Sequence, residues 1–161
     1  MATIPYRVLF VCMGNICRSP AGDNVFRHYV GEAGLADSIT CDSAGTLDYH
    51  TGNPPDHRMS AVLQHRGIPI QGQARHFTRS DFQNFDLILT MDDDNLRDIL
   101  ALAKTPEEET KVKRFTDFCT EHDLHEVPDP YHGGDAGFEL VADLMEDGCA
   151  GLLEQVRKEI P

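Results

Sequence analysis

The sequence predicts an α/β fold in which a parallel sheet is covered by helices on both faces. Three observations carry that expectation. Short apolar runs of strand length alternate with segments whose apolar residues recur at helical spacing. Turn residues mark each change of pattern. No internal repeat or low-complexity stretch divides the 161 residues, a length ordinary for one unit with its own core. A single domain over residues 1–161 is therefore expected.

Tyr6-Arg7-Val8-Leu9-Phe10-Val11 reads as a buried strand. Ser19-Pro20 reads as a helix start, with serine as the cap and proline at the first helical position. Val25, Phe26, Tyr29, Val30 and Ala33 follow at helical spacing, and Gly34 is the expected stop. Ile39 to Ser43 is a second strand, ending at Ala44-Gly45. Pro54-Pro55-Asp56 opens a helix that carries Met59, Val62 and Leu63 and closes at Gly67. Phe85 to Met91 is the clearest later strand, with a helix from Asp92 to Leu102 behind it. Lys104 to Lys111, with Pro106 and three consecutive glutamates, reads as a solvated loop, and Lys111 to Phe115 as a shorter strand. Phe138 to Val156 has long helical periodicity, although Gly148 and Gly151 inside it argue against an unbroken helix.

Bulk properties exclude several classes of function. Hydrophobic residues make up 40% and charged residues 25%, as in soluble globular proteins. A net charge of −13 repels nucleic acid and anionic membranes, so neither is an expected partner. Any small-anion site must be built locally against that field. No run approaches the ~20 apolar residues of a membrane span, and Met1 to Pro5 lacks a signal-peptide pattern. The five cysteines, Cys12, Cys17, Cys41, Cys119 and Cys149, are odd in number and scattered. They form no C-x-x-C pair, which points to a reducing, cytoplasmic setting without a zinc site. His122 and His125 have a spacing that could hold a metal on a helix, but nothing supplies further ligands. No metal or cofactor is expected.

The informative segment is Cys12-Met13-Gly14-Asn15-Ile16-Cys17-Arg18-Ser19, between the first strand and the first helix. Ligands of open α/β sheets bind at strand C-termini, and a helix N-terminus offers free N–H groups to an anion. Gly14 permits the backbone angles that turn successive N–H groups inward, and Asn15 tolerates a left-handed conformation. Arg18 adds a planar fork for two phosphate oxygens. The same positive environment favours the thiolate of Cys12, and Ser19 is placed to donate to that sulfur. Together these residues describe a nucleophile beneath a bound phosphoryl group. Attack on an aryl phosphate also needs the leaving oxygen protonated. Asp129, followed by Pro130 and Tyr131, is a candidate acid, although Asp-Pro is first a turn signal and the chain has 27 acidic residues to choose from.

Residues 11–20 resemble the signature of low-molecular-weight protein tyrosine phosphatases. The likeness continues in order through Asp42-Ser43-Ala44-Gly45-Thr46, Pro54-Pro55-Asp56, Ala74-Arg75, Thr90-Met91-Asp92 and Asp129-Pro130-Tyr131. The resemblance implies a single-domain three-layer fold of the phosphotyrosine protein phosphatase I type, with a four-stranded parallel sheet flanked by helices. It implies hydrolysis of phosphotyrosine and small aryl phosphates through a phosphocysteine intermediate, without metal. Cys12, Arg18 and Asp129 would be catalytic, Asp129 acting first as acid and then as base. Met13, Gly14, Asn15, Ile16, Cys17 and Ser19 would surround the phosphate, and Tyr49 and Tyr131 would wall the substrate ring.

Ser43 would brace Asn15, although a serine at a strand end is also a common turn residue, and Asp92 would support the loop, although helix N-capping accounts for it equally well. Cys17 is either a small packed side chain or, as the family implies, the partner of Cys12 in a reversible protective disulfide. The chain departs from its relatives at His132, where a second tyrosine is common, and at Gly72, where some carry a histidine that helps fix the loop asparagine. These departures bear on substrate preference and regulation by phosphorylation. The implied partners are a tyrosine-phosphorylated protein, a kinase among the candidates, and inorganic phosphate as product, with the chain a monomer or weak dimer.

Three rivals are weaker. An arsenate reductase on the same loop needs extra redox cysteines, and residues 42–118 contain none. A sugar-phosphotransfer subunit has no reason to keep Arg18 together with Asp129. A phosphotyrosine-binding module without turnover has no need of both Cys12 and Asp129.

Overall fold

Burial on both sides of the first strand organises the molecule. The computed structural model describes residues 4–131 and 133–161. His132 and, from the segment that lacks a signal-peptide pattern, Met1 to Thr3 lie outside the described residues. Strand β1 (Tyr6–Cys12) sends Val8, Phe10 and Cys12 into one apolar cluster and Leu9 and Val11 into another. Such two-sided burial is why the run is apolar at successive positions.

Helix α1 spans Arg18–Glu32, so it starts before the expected Ser19 cap. Cys17 is the N-cap, and the Ser19 hydroxyl is drawn instead to Cys12 and Asn15. Strand β2 is Ile39–Gly45 and helix α2 is His57–His65. The Asp56 side chain caps α2 by accepting from the Arg58 and Met59 amides. Helix α3 (Asp81–Asn84) precedes β3 (Leu87–Thr90). That strand is shorter than the apolar run suggests, because Asp86 turns its carboxylate to the Arg7 amide at 2.8 Å. Helix α4 (Asp93–Leu102) follows, capped by Asp92.

The expected solvated loop is corrected to a short helix, α5 (Pro106–Thr110). Thr105 caps it, and Glu108 is buried with its carboxylate on the Arg79 guanidinium and the Lys104 amide. Strand β4 is only Val112–Arg114, because Phe115 enters a 3-10 turn (Phe115–Phe118) and packs on Phe10, ring centres 6.0 Å apart. The last helix, α6 (Asp135–Arg157), is unbroken despite its glycines. A Cβ on Gly148 would lie 2.2 Å from the Phe115 ring, and one on Gly151 would lie 2.0 Å from the Phe118 carbonyl oxygen. Both positions are glycine because the 3-10 turn packs directly on the helix.

The four strands form one parallel sheet in the order β2-β1-β3-β4. Residues of α1, α2 and α6 fill the cluster on one face, while Phe82 of α3 and Ile99 of α4 fill the other. This is the expected three-layer arrangement. The chain leaves β1 towards β2 on one side and returns to β3 on the other. The carboxyl end of β1 is therefore the crevice where an open α/β sheet binds ligands.

Candidate active site

The loop after β1 is shaped by one left-handed residue, Asn15, with φ of +58°. Its amide is fully used. Nδ2 donates to Ser43 Oγ at 2.9 Å and to Ser19 Oγ at 2.8 Å, while Oδ1 accepts from the Arg75 backbone amide at 2.9 Å. Because Asn15 donates into Ser19, the Ser19 proton is left for Cys12 Sγ at 2.9 Å in preference to the Ala44 carbonyl at 3.5 Å. The Asn15 backbone amide adds a second donor to the sulfur at 3.3 Å.

The loop carbonyls turn outward. Cys12 O accepts from Thr46, Met13 O from Leu47 and Ile16 O from Asp56, at 2.9, 3.0 and 2.7 Å. The amides of Met13, Gly14, Ile16 and Cys17 have no acceptor among the described residues, which leaves a nest of donors at the N-terminus of α1. Gly45 allows this closeness, since a Cβ there would sit 2.8 Å from Met13 O. Gly14 has another reason than the one expected from sequence. Its φ is not positive; its bare Cα makes room for the His50 ring, which a Cβ would meet at 3.1 Å.

Arg18 is 3% exposed. Its NH1 donates to Asp92 Oδ2 at 2.6 Å and to Val127 O at 3.0 Å, and NH2 lies 3.6 Å from Asp129 Oδ2. Burial alone would lower the guanidinium pKa, but Cys12, Asp92 and Asp129 outweigh it and hold it above its ordinary value. Asp92 meets Arg18 with one oxygen and caps α4 with the other, which accepts from the Asn95 amide at 2.8 Å. Asp129 is the more exposed carboxylate, its side chain 41% accessible, with Oδ1 accepting from the Tyr131 amide at 3.0 Å.

A cavity of about 170 Å³ opens above Cys12, bounded by residues 12–18 together with His50, Asp129 and Tyr131. The rim differs from expectation at one position. Tyr49 is 84% exposed and does not line the cavity; its ring stands edge-on to His50, centres 4.8 Å apart. His50 in turn faces Tyr131 at 6.2 Å. Three residues of the site, His50, Arg75 and Val127, carry no role in the sequence reading. Arg75 lies within a motif that carried the resemblance, whereas His50 and Val127 act through folded contacts that leave no local pattern. Gly72 has φ of +106°, a conformation that favours glycine, and Asn15 is braced by Ser19, Ser43 and Arg75 instead. His132, the other departure, lies outside the described residues.

Cys17 is a buried residue of the loop, and burial, followed by Asp56 and Cys12, pushes its thiol well above the ordinary range. All five cysteines are free. His122 and His125 pair with Asp147 and Asp93 at 2.8 and 3.0 Å, and no cluster of metal-ligating side chains occurs among the described residues. Among them, too, no helix is long and apolar enough to cross a membrane.

Comparison with known proteins places this geometry in a family context. Residues 7–161 match the family described as low molecular weight phosphotyrosine protein phosphatase. The chain is 51% identical over 154 residues to a Synechocystis sp. protein that carries the same family's name, covering 96% of this chain and 98% of that one. It is 40% identical to a low molecular weight protein-tyrosine-phosphatase of Bacillus subtilis, with 94% and 96% covered. A crystal structure of a protein tyrosine phosphatase from Entamoeba histolytica superposes with a TM-score of 0.92 at 41% identity, covering 96% of this chain and 98% of that one.

Proposed function

The chain belongs to the low molecular weight phosphotyrosine protein phosphatase family and is on that ground a cysteine-dependent protein-tyrosine phosphatase; we propose that it cleaves phosphotyrosine through a phosphocysteine intermediate formed on Cys12. The observation that carries this mechanism is the sulfur held by Ser19 and Asn15 beneath a nest of unpaired loop amides, with Arg18 and Asp129 at its edge.

The phosphate oxygens take the loop amides and the remaining donors of Arg18, whose NH1 is committed to Asp92 and Val127. Cys12 Sγ attacks phosphorus, and the bond to the phenolic oxygen breaks as Asp129 gives that oxygen its proton. The Asp129 carboxylate then takes a proton from the water that attacks the phosphocysteine. Phosphate departs, and the sulfur leaves as a thiolate held by the Ser19 hydroxyl and the Asn15 amide. Tyr131 and His50 flank the substrate ring.

Aryl-phosphate hydrolysis by two variants tests this reading. Cys12→Ser should lose turnover entirely while inorganic phosphate still raises its Tm, because the amide nest is intact. Asp129→Ala should lower kcat/KM roughly 10²- to 10⁴-fold for poor leaving groups and far less for activated ones. Undiminished hydrolysis by Cys12→Ser would overturn the mechanism. The arsenate-reductase alternative is not favoured by the family match, and thioredoxin-coupled arsenate reduction in the same preparation should stay at background. Free thiols support a reducing, cytoplasmic setting, which fractionation of source cells checks.

A further inference from the structure

Asp129 sits between the 3-10 turn, which ends at Phe118, and α6, which begins at Asp135, in a stretch with no helix or strand among its described residues. Proton transfer needs its carboxyl held to a fraction of an ångström relative to Cys12. Several ties fix the neighbouring backbone. The Val127 amide donates to Met91 O at 2.8 Å, Arg18 reaches Val127 O, and the Gly133 amide donates to Pro130 O at 3.0 Å. A further tie comes from outside the site, from Arg58 on α2.

Arg58 NH2 donates to the Tyr131 carbonyl at 3.1 Å. Its guanidinium carbon lies 5.3 Å from the centre of the Tyr131 ring and 4.7 Å from that of Phe138, a fully buried residue of α6. The same guanidinium is gripped by Asp56, Nε to Oδ1 at 3.3 Å and NH2 to Oδ2 at 3.1 Å. Asp56 is itself attached to the phosphate loop, because its amide donates to Ile16 O at 2.7 Å. At the far end, the Tyr131 amide donates to Asp129 Oδ1. A continuous strut therefore runs from the phosphate loop through Asp56 and Arg58 to Tyr131 and Asp129.

We propose that Arg58 is a positioning residue for proton transfer, fixing the Asp129 loop to the phosphate loop through Asp56, Tyr131 and Phe138. It rests on Asp129 being the proton donor. Arg58 does not line the cavity, so it acts on the reaction only through Tyr131 and Asp129. A planar, multidentate cation suits this place. It must donate sideways to a carboxylate and a carbonyl while its face lies over aromatic rings, which a lysine cannot do.

The test is kcat/KM across aryl phosphates of graded leaving-group pKa, for Arg58→Met, Arg58→Lys, Asp129→Ala and the Arg58→Met, Asp129→Ala double variant. Arg58→Met should lose roughly tenfold on phenyl phosphate and less than about twofold on 4-nitrophenyl phosphate. Arg58→Lys should recover little of the loss. In the Asp129→Ala background the Arg58 change should have almost no further effect, because the positioned group is gone. Competitive inhibition by inorganic phosphate should be unchanged, a readout that damage to the loop itself would move. Equal losses on all leaving groups, additivity with Asp129→Ala, or full rescue by lysine would each overturn the proposal. If Asp129→Ala itself shows no leaving-group dependence, the acid assignment fails instead. Should Arg58→Met prove too unstable to assay, the lysine variant gives the same leaving-group series.

Discussion

At the scale of single residues, Asn15 holds more of the site together than any other side chain. Its amide serves three partners, and its left-handed backbone costs most side chains about 1 kcal/mol. Asn15→Ala leaves the Arg75 amide and the Ser43 and Ser19 hydroxyls short of a partner in a buried place, and adds the backbone cost. A stability loss of about 3 kcal/mol by denaturant unfolding, with kcat/KM down about 100-fold, is expected. Asn15→Gly removes the backbone cost alone, so relative to alanine it should recover about 1 kcal/mol of stability and little activity. Equal stability of the alanine and glycine variants would show that the left-handed angle carries no strain. The site was legible in sequence where a residue type and its offset from Cys12 jointly imply a role, as for Asn15, Arg18 and Ser19. His50 was not legible, because it reaches the cavity only when the loop after β2 folds back over Gly14. Tyr49, beside it in sequence, was the more obvious aromatic, yet it points outward.

At the scale of elements, close packing separates what the sequence displayed from what it concealed. Apolar periodicity located every strand and most helices, since burial on one or both faces writes itself into spacing. Helix α5 was hidden because its three glutamates look solvated, whereas Glu108 is neutralised by Arg79, a residue 29 positions earlier in the chain. The glycines of α6 were misleading for a related reason: their helix-weakening tendency is local, while the demand for space comes from Phe115 and Phe118. Three substitutions separate the two effects. At Gly31 of α1 an added Cβ would have nothing within 4 Å, so Gly31→Ala should gain up to about 1 kcal/mol of helix propensity. Gly148→Ala gains the same propensity but drives a methyl into a buried ring, for a net loss of roughly 1–2 kcal/mol. Gly151→Ala meets a backbone carbonyl that cannot rotate away, and should lose about 3 kcal/mol or fail to fold. Chemical denaturation of the three variants ranks them, and a stabilised Gly151→Ala would show that the 3-10 turn is free to move.

At the scale of the whole molecule, the sheet order places an anion site at the end of β1 in a chain whose net charge is −13. The two facts oppose each other. Arg18 is buried and already paired with Asp92 and Asp129, so little positive field extends beyond the loop to draw a phosphorylated protein in. Approach is therefore governed by the acidic surface, and chemistry by local donors that salt screens much less. Phosphopeptides identical except for flanking charge should separate these contributions. Raising KCl from about 10 to 150 mM shortens the Debye length from about 30 to 8 Å. Over that range kcat/KM should rise roughly threefold for an acidic-flanked peptide and fall for a lysine-flanked one, while kcat changes little for either. Chloride competing for the phosphate site would act on both peptides alike, so the difference between them isolates the long-range field. The same salt response for both would mean that the surface charge is remote from the approach path, and that selection among phosphoproteins rests on contacts at the cavity rim.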